Sequence, residues 1–80
     1  MSYTYKLFEV GPDGAEHDTG KEVVINATEH IVVCVFELYQ FTQYANYYRI
    51  AGTLGDEKIH IYYNYIDAGD KDTWILRKKS

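Results

Sequence analysis

His30 and Cys34 stand four residues apart, a spacing that puts two side chains on one face of a helix. There an imidazole could act as base to a thiol, or the pair could begin a metal site. Structural zinc needs four ligands, however, and His17 and His60 have no spacing that recruits them. The run Asp67-Ala-Gly-Asp70-Lys-Asp72 gathers three carboxylates, yet it lacks the alternating ligands and distal glutamate of a calcium loop and reads first as a turn. The glycines stand singly in turns, so there is no phosphate-cradling loop. Cys34 sits among Ile31, Val35 and Leu38, where a small buried side chain is expected. A nucleophile also needs a pocket that excludes water, and a sheet carrying one helix rarely encloses one. The expectation is a non-enzyme that takes no cofactor and no metal.

The elements follow from periodicity. Residues 3–10, YTYKLFEV, read as a strand ending at Gly11-Pro12-Asp13-Gly14, a tight turn by composition. A return strand is expected over about Glu22–Ile25, with Gly20 marking a bulge or a late start. From Lys21 to Ala51 there is neither glycine nor proline, so a helix must take up much of the span. It is placed from Ala27 to about Tyr44, with Asn26 as cap, Glu29 completing a capping box, and an apolar stripe of Ile31, Cys34, Val35, Leu38, Phe41 and Ala45. The β-branched run keeps a strand over residues 30–36 as the alternative. Residues 47–53, 58–66 and 73–78 then read as strands. The fold class is α+β, one domain over residues 1–80 in ββαβββ order, with one amphipathic helix packed on an antiparallel sheet of about five strands.

Strand alternation sorts the aromatic residues. Ile59, Ile61, Tyr63 and Tyr65 share the core face of their strand, while His60, Tyr62, Asn64 and Ile66 share the other. Trp74 and Leu76 outweigh Thr73 and Ile75 in apolar area and should face the helix. The open face is expected to carry Tyr62, His60, Asn64 and Arg77, joined by some of Tyr47, Arg49, Tyr3 and Tyr5. In this topology the first turn and the last turn lie at one end of the sheet. That end gathers Asp13, Glu16, Asp18, Asp67, Asp70 and Asp72, half of the chain's twelve acids. With Tyr62 these are the candidate partner-binding residues; solvated turns and cross-strand tyrosine packing are the plain structural alternative.

Eighty residues with 46% hydrophobic and 25% charged side chains describe an ordinary small globular domain, and nine tyrosines are the unusual feature. The single cysteine excludes an internal disulfide, nothing near Met1 resembles a secretory signal, and the longest apolar run is too short to cross a bilayer. A cytoplasmic protein with no membrane contact is expected. A net charge of −4 disfavours nucleic acid and favours a basic protein partner. In size, acidity, single-domain build and want of an active site, the chain is similar to the small proteins that phages and other mobile elements use to block host defence or nucleic-acid enzymes, anti-CRISPR proteins among them. That likeness of type implies an inhibitor whose acidic rim imitates phosphate spacing and occupies the basic channel of a nucleic-acid-binding complex, with Tyr62 and neighbouring rings as anchor. Two alternatives stay open. One is a single-stranded nucleic-acid-binding module using Tyr62 and His60; the other is a self-associating module that makes a homodimer rather than a monomer.

Overall fold

The structure is a computed structural model and describes residues 1–39, 48–63 and 71–79. The chain forms β1 (Ser2–Val10), β2 (Glu16–Asn26), α1 (Ile31–Glu37), β3 (Tyr48–Ala51), β4 (Lys58–Tyr63) and β5 (Lys71–Lys78). The strands make one five-stranded sheet in the order β2-β1-β5-β4-β3, every pairing antiparallel, with the helix packed on one face. The α+β expectation holds, in the expected element order.

The core is the layer between α1 and that face. Tyr5, Leu7, Val23, Ile25, Ile59, Ile61, Trp74 and Leu76 alternate inward along their strands to meet Ile31, Val32, Val35 and Phe36. Size decided the last strand as expected, since Trp74 and Leu76 face the helix. The rings of Phe36 and Trp74 meet edge to face with centroids 4.9 Å apart, and Tyr48 packs on both at 4.7 and 5.3 Å. Such pairs add about 0.5–1.5 kcal/mol each beyond the area they bury.

Several expectations are corrected. The return strand begins at Glu16, not at about Glu22, because its polar first half pairs with Phe8 to Val10. Gly20 does mark a bulge: the register shifts between Leu7 and Phe8, and Gly20 takes φ 76°, where a side chain is disfavoured. The helix starts at Ile31 rather than Ala27. Asn26 and Glu29 form only one of the two bonds of a capping box, because the Asn26 side chain does not accept the Glu29 N–H and a backbone turn bond takes its place. The Asn26 N–H donates to the Glu29 carboxylate at 3.1 Å, and the Glu29 N–H donates to the Asn26 carbonyl at 3.0 Å. They close a turn that ends β2 instead of opening the helix, and extended His30 occupies the cap position with no side-chain bond. Residues 31–37 are helical, which removes the strand alternative there; the expected continuation toward Tyr44 lies outside the described residues from position 40.

The buried stripe is Ile31, Val32, Val35 and Phe36, so the helix is rotated from the expected Ile31, Cys34, Val35, Leu38 face. Phe36 carries more apolar area than Cys34, and its seat against Trp74 and Tyr48 sets the rotation. Cys34 and Leu38 flank the core half-buried, Val33 turns outward and His30 is exposed. Tyr5 is fully buried on the core face, and Tyr3 packs against the core as well, so neither belongs to the open face. Tyr47, Asn64, Tyr65 and Ile66 lie outside the described residues.

Candidate functional site

The sheet face opposite the helix carries Lys6 and Phe8 from β1, Ile75 and Arg77 from β5, His60 and Tyr62 from β4 and Arg49 from β3, as the registers require. It is less open than alternation suggests. Ile75 is only 3% exposed, set between its register partners Phe8 and His60. Glu16, on the outermost strand, accepts two bonds from Arg77 at 2.8 and 2.9 Å and meets the Lys58 ammonium at 3.5 Å. Those cations stand two and three strands away, so the outer half of β2 curls over this face beyond the Gly20 bulge. Asp18 pairs with Lys6 at 3.2 Å and accepts the Gly20 N–H at 2.8 Å.

These contacts settle the local electrostatics. Arg77 first, and Lys58 less, hold the Glu16 carboxyl below its usual range, while Glu16 raises Arg77 in return. The Gly20 N–H and Lys6 do the same for Asp18. On the opposite side of the molecule, hydrogen bonds from Asn26 and from the Cys34 thiol lower Glu29. Burial, aided by Glu29 and Glu37, pushes the Cys34 thiol up to about 11. A thiol so raised is protonated and a poor nucleophile. Its bond is to Glu29 at 3.4 Å, whereas a histidine base would be needed for the chemistry that the His30 spacing allows. No group of three or more histidine, cysteine or acidic side chains among the described residues is arranged to hold a metal ion. No helix among them is long and apolar enough to cross a membrane.

The residues singled out from sequence do not all fall in one place. Asp13 is exposed in the first turn, where its carboxylate accepts the Ala15 N–H at 3.0 Å. Glu16 and Asp18 sit in the ion pairs just described. Tyr62 is half-buried on the face opposite the helix, across from Arg49 in the register. Asp72 lies on β5, its backbone opposite Tyr62. Asp67 and Asp70 fall outside the described residues. Strand directions do put the end of β4 and the start of β5 at the end of the sheet that holds the first turn.

A different surface joins acidic and apolar groups without neutralising most of them. Between β2 and α1 runs an open groove of about 450 Å³, lined by Glu22 and Val24 from the strand, by Glu29 before the helix, and by Val33, Cys34 and Glu37 from the helix. Val24 is 58% and Val33 37% exposed, two of the most exposed large apolar side chains described. Glu22 bonds Lys79 at 3.0 Å, but neither Glu29 nor Glu37 meets a cation among the described residues. Glu37 is also the last residue of a helix with no basic residue in its last turn, where the dipole disfavours a negative charge by some ~0.3–1 kcal/mol. Sequence reading put Glu29 inside the helix, whereas it stands in the turn before Ile31; Glu37 lies exposed on the helix. Sequence reading missed the groove because only the sheet order brings Glu22 and Val24 alongside them.

Comparison with known proteins returns no match, whether to a family model, a curated protein or a solved structure.

Proposed function

We propose that this domain is a non-catalytic binding module that recognises a basic protein surface. The observation that carries the reading is how charge is distributed. Lys6, Lys58, Arg77, Lys78 and Lys79 all pair with carboxylates of the same chain and Lys21 lies over the Tyr39 ring at 4.5 Å, so most of the described cations are engaged within the chain. The surplus behind the net −4 is left on groups such as Glu29, Glu37 and Asp13, which have no cationic partner among the described residues. Unpaired surface carboxylates steer a basic partner inward and repel an acidic one.

Proteins that handle nucleic acid carry basic surfaces of this kind, and occupying one would exclude the polymer. That outcome is the inhibitory role implied by the chain's likeness of type to the small inhibitors of phages and mobile elements. Asp67, Asp70 and Asp72 add three more carboxylates to the chain's negative charge. Direct binding of single strands by Tyr62 and His60 finds less support. Of the cations on that face, Arg77, Lys58 and Lys6 are committed to Glu16 and Asp18 and Arg49 lies across from Tyr62, whereas a single-strand site needs a basic track for the phosphates.

The test is affinity capture of the immobilised chain at low and high salt, run beside titration with short single-stranded oligonucleotides. The proposal expects retention of a basic protein that weakens steeply with salt, and no change in tyrosine fluorescence with oligonucleotide. Oligonucleotide binding without basic-protein capture overturns it.

A further inference from the structure

The groove beside α1 has a property that charge alone does not give it: one wall is an open sheet edge. β2 is the outermost strand, and no other described strand pairs with its far side. Two bonds fix which of its backbone groups point there. The Ala27 N–H donates to the Met1 carbonyl at 2.9 Å, and the Lys79 N–H donates to the Thr4 carbonyl at 2.8 Å, so Thr4 turns its backbone groups toward β5. In an antiparallel ladder these directions alternate. Ile25 and Val23 therefore bond β1, while Asn26, Val24 and Glu22 aim their N–H and C=O groups outward. Glu29 takes both outward groups of Asn26. Those of Val24 and Glu22 face the groove.

We infer that the groove binds an extended, basic segment of a partner protein, which adds to the sheet as a short strand beside Val24 and Glu22. This inference rests on the proposed recognition of basic proteins and names the site where it happens. The strand contributes backbone bonds to Val24; its apolar side chains cover Val24 on one side and Val33 on the other; its lysines or arginines meet Glu22, Glu29 and Glu37. Edge pairing against a helix is an established way to hold an extended peptide, with affinity from the backbone and selectivity from alternate side chains. Charge selects the occupant. A second copy of this chain would bring another Glu22, Glu29 and Glu37 against the first set, so self-pairing is opposed and a basic segment is favoured.

Proline offers a clean test because it removes a donor and is tolerated on an edge strand whose N–H faces outward. The Val24 N–H bonds nothing in β1, so V24P deletes the outward donor while leaving the ladder whole. The probe is a fluorescent synthetic peptide of alternating valine and lysine, compared with a valine–glutamate peptide, with amide exchange of the full chain followed by NMR. The inference expects binding of the lysine peptide only and slower exchange at Val24 on binding. It also expects roughly tenfold weaker affinity in V24P, and a several-fold loss in E37K that fades with salt. Unchanged affinity in a folded V24P, or protection of no β2 amide in the wild-type chain, overturns the strand-addition site. If V24P meanwhile still captures a basic protein in a salt-sensitive way, the broader reading survives without this site. Equal binding of both peptides, or displacement of the lysine peptide by dimer formation or by an oligonucleotide, overturns the basic occupant.

Discussion

Removing one oxygen atom from Tyr5 should destabilise the fold measurably, although Tyr5 makes no ion pair. Its ring is fully buried under the helix, and its hydroxyl reaches the turn between β3 and β4, some fifty residues away in sequence. There it donates to the Asp56 carbonyl at 3.0 Å and accepts the Gly55 N–H at 2.8 Å. Tyr5→Phe keeps the ring and loses both bonds. Each is worth about 0.5–1.5 kcal/mol net, so the loss is about 1–3 kcal/mol, a large share of the stability of a small domain. At about 4–8 °C per kcal/mol for this size, Tm should fall by roughly 4–24 °C. Urea unfolding supplies the free energy, and the slope against denaturant should not change because the buried area does not. Tyr3→Phe is the control: among the described residues its hydroxyl bonds only the Met1 sulfur, at an exposed position, and the change should lie within about 0.5 kcal/mol. If Tyr5→Phe matches that control, with Gly55 amide exchange unaltered, the phenol does not tie the turn to the core and the reasoning fails.

Acid should weaken the fold through Glu16, whose folded pKa is lowered from 4.5 by Arg77 and Lys58. A lowered carboxyl contributes stability that is present above its ordinary pKa and is lost as pH falls through the folded value. The stability gap between wild type and E16Q should therefore be widest near pH 6 and close as pH drops below 4.5, read by urea titration at several pH values; a gap that widens in acid contradicts the pairing. Cys34, with its thiol near 11, should be about one part in a thousand thiolate at pH 8. Alkylation by iodoacetamide should then lag far behind that of a free thiol peptide until urea is added, and rapid labelling of the native chain would refute the assignment. At Gly20, φ 76° with open space around the missing Cβ, Gly20→Ala should cost about 1 kcal/mol from backbone strain alone, and Gly20→Asn less, because asparagine tolerates that conformation. Equal thermal stability of the two variants would remove strain as the cause.

What could be read from the sequence was whatever depends on neighbours in the chain. The alternation of β1, the turn at Pro12 and Gly14, and the need for a helix after Lys21 are local facts, and each appears in the fold. The first half of β2 was not legible, because Glu16-His17-Asp18-Thr19 is polar enough to read as loop. It becomes a strand through partners elsewhere: Phe8 to Val10 along the ladder, Lys6, Arg77 and Lys58 for its carboxylates. The Asn26–Glu29 pairing was legible and its meaning was not, since a bond from the Asn26 N–H to the Glu29 carboxylate serves a helix cap or a strand-ending turn. Tyr5 went astray because a phenol suits a wet surface by type, and only the distant turn at Gly55 shows how its hydroxyl is satisfied in the core. The acidic groove needed the sheet order itself.

That order explains why the groove stays both open and acidic. The cation-rich strand β5 lies in the middle of the sheet, flanked by β1 and β4, where carboxylates of the same chain reach Arg77 and Lys78 from either side. The helix has no lysine or arginine and β2 has only Lys21, so Glu29 and Glu37 beside the groove keep no cationic partner among the described residues. An exposed edge strand invites pairing with its own copies unless something opposes it, and inward-leaning charge is one of the means. Glu22, Glu29 and Glu37 would then discourage a second copy and attract a basic strand with the same carboxylates. Charge and self-association are therefore coupled in sign. E37K, or salt high enough to screen charges beyond about 3 Å, should increase dimer formation in sedimentation experiments while weakening capture of a basic partner. A wild-type chain that dimerises through β2 most strongly at low salt would break that coupling, because like charges at the edge would then be favouring the contact they are argued to prevent.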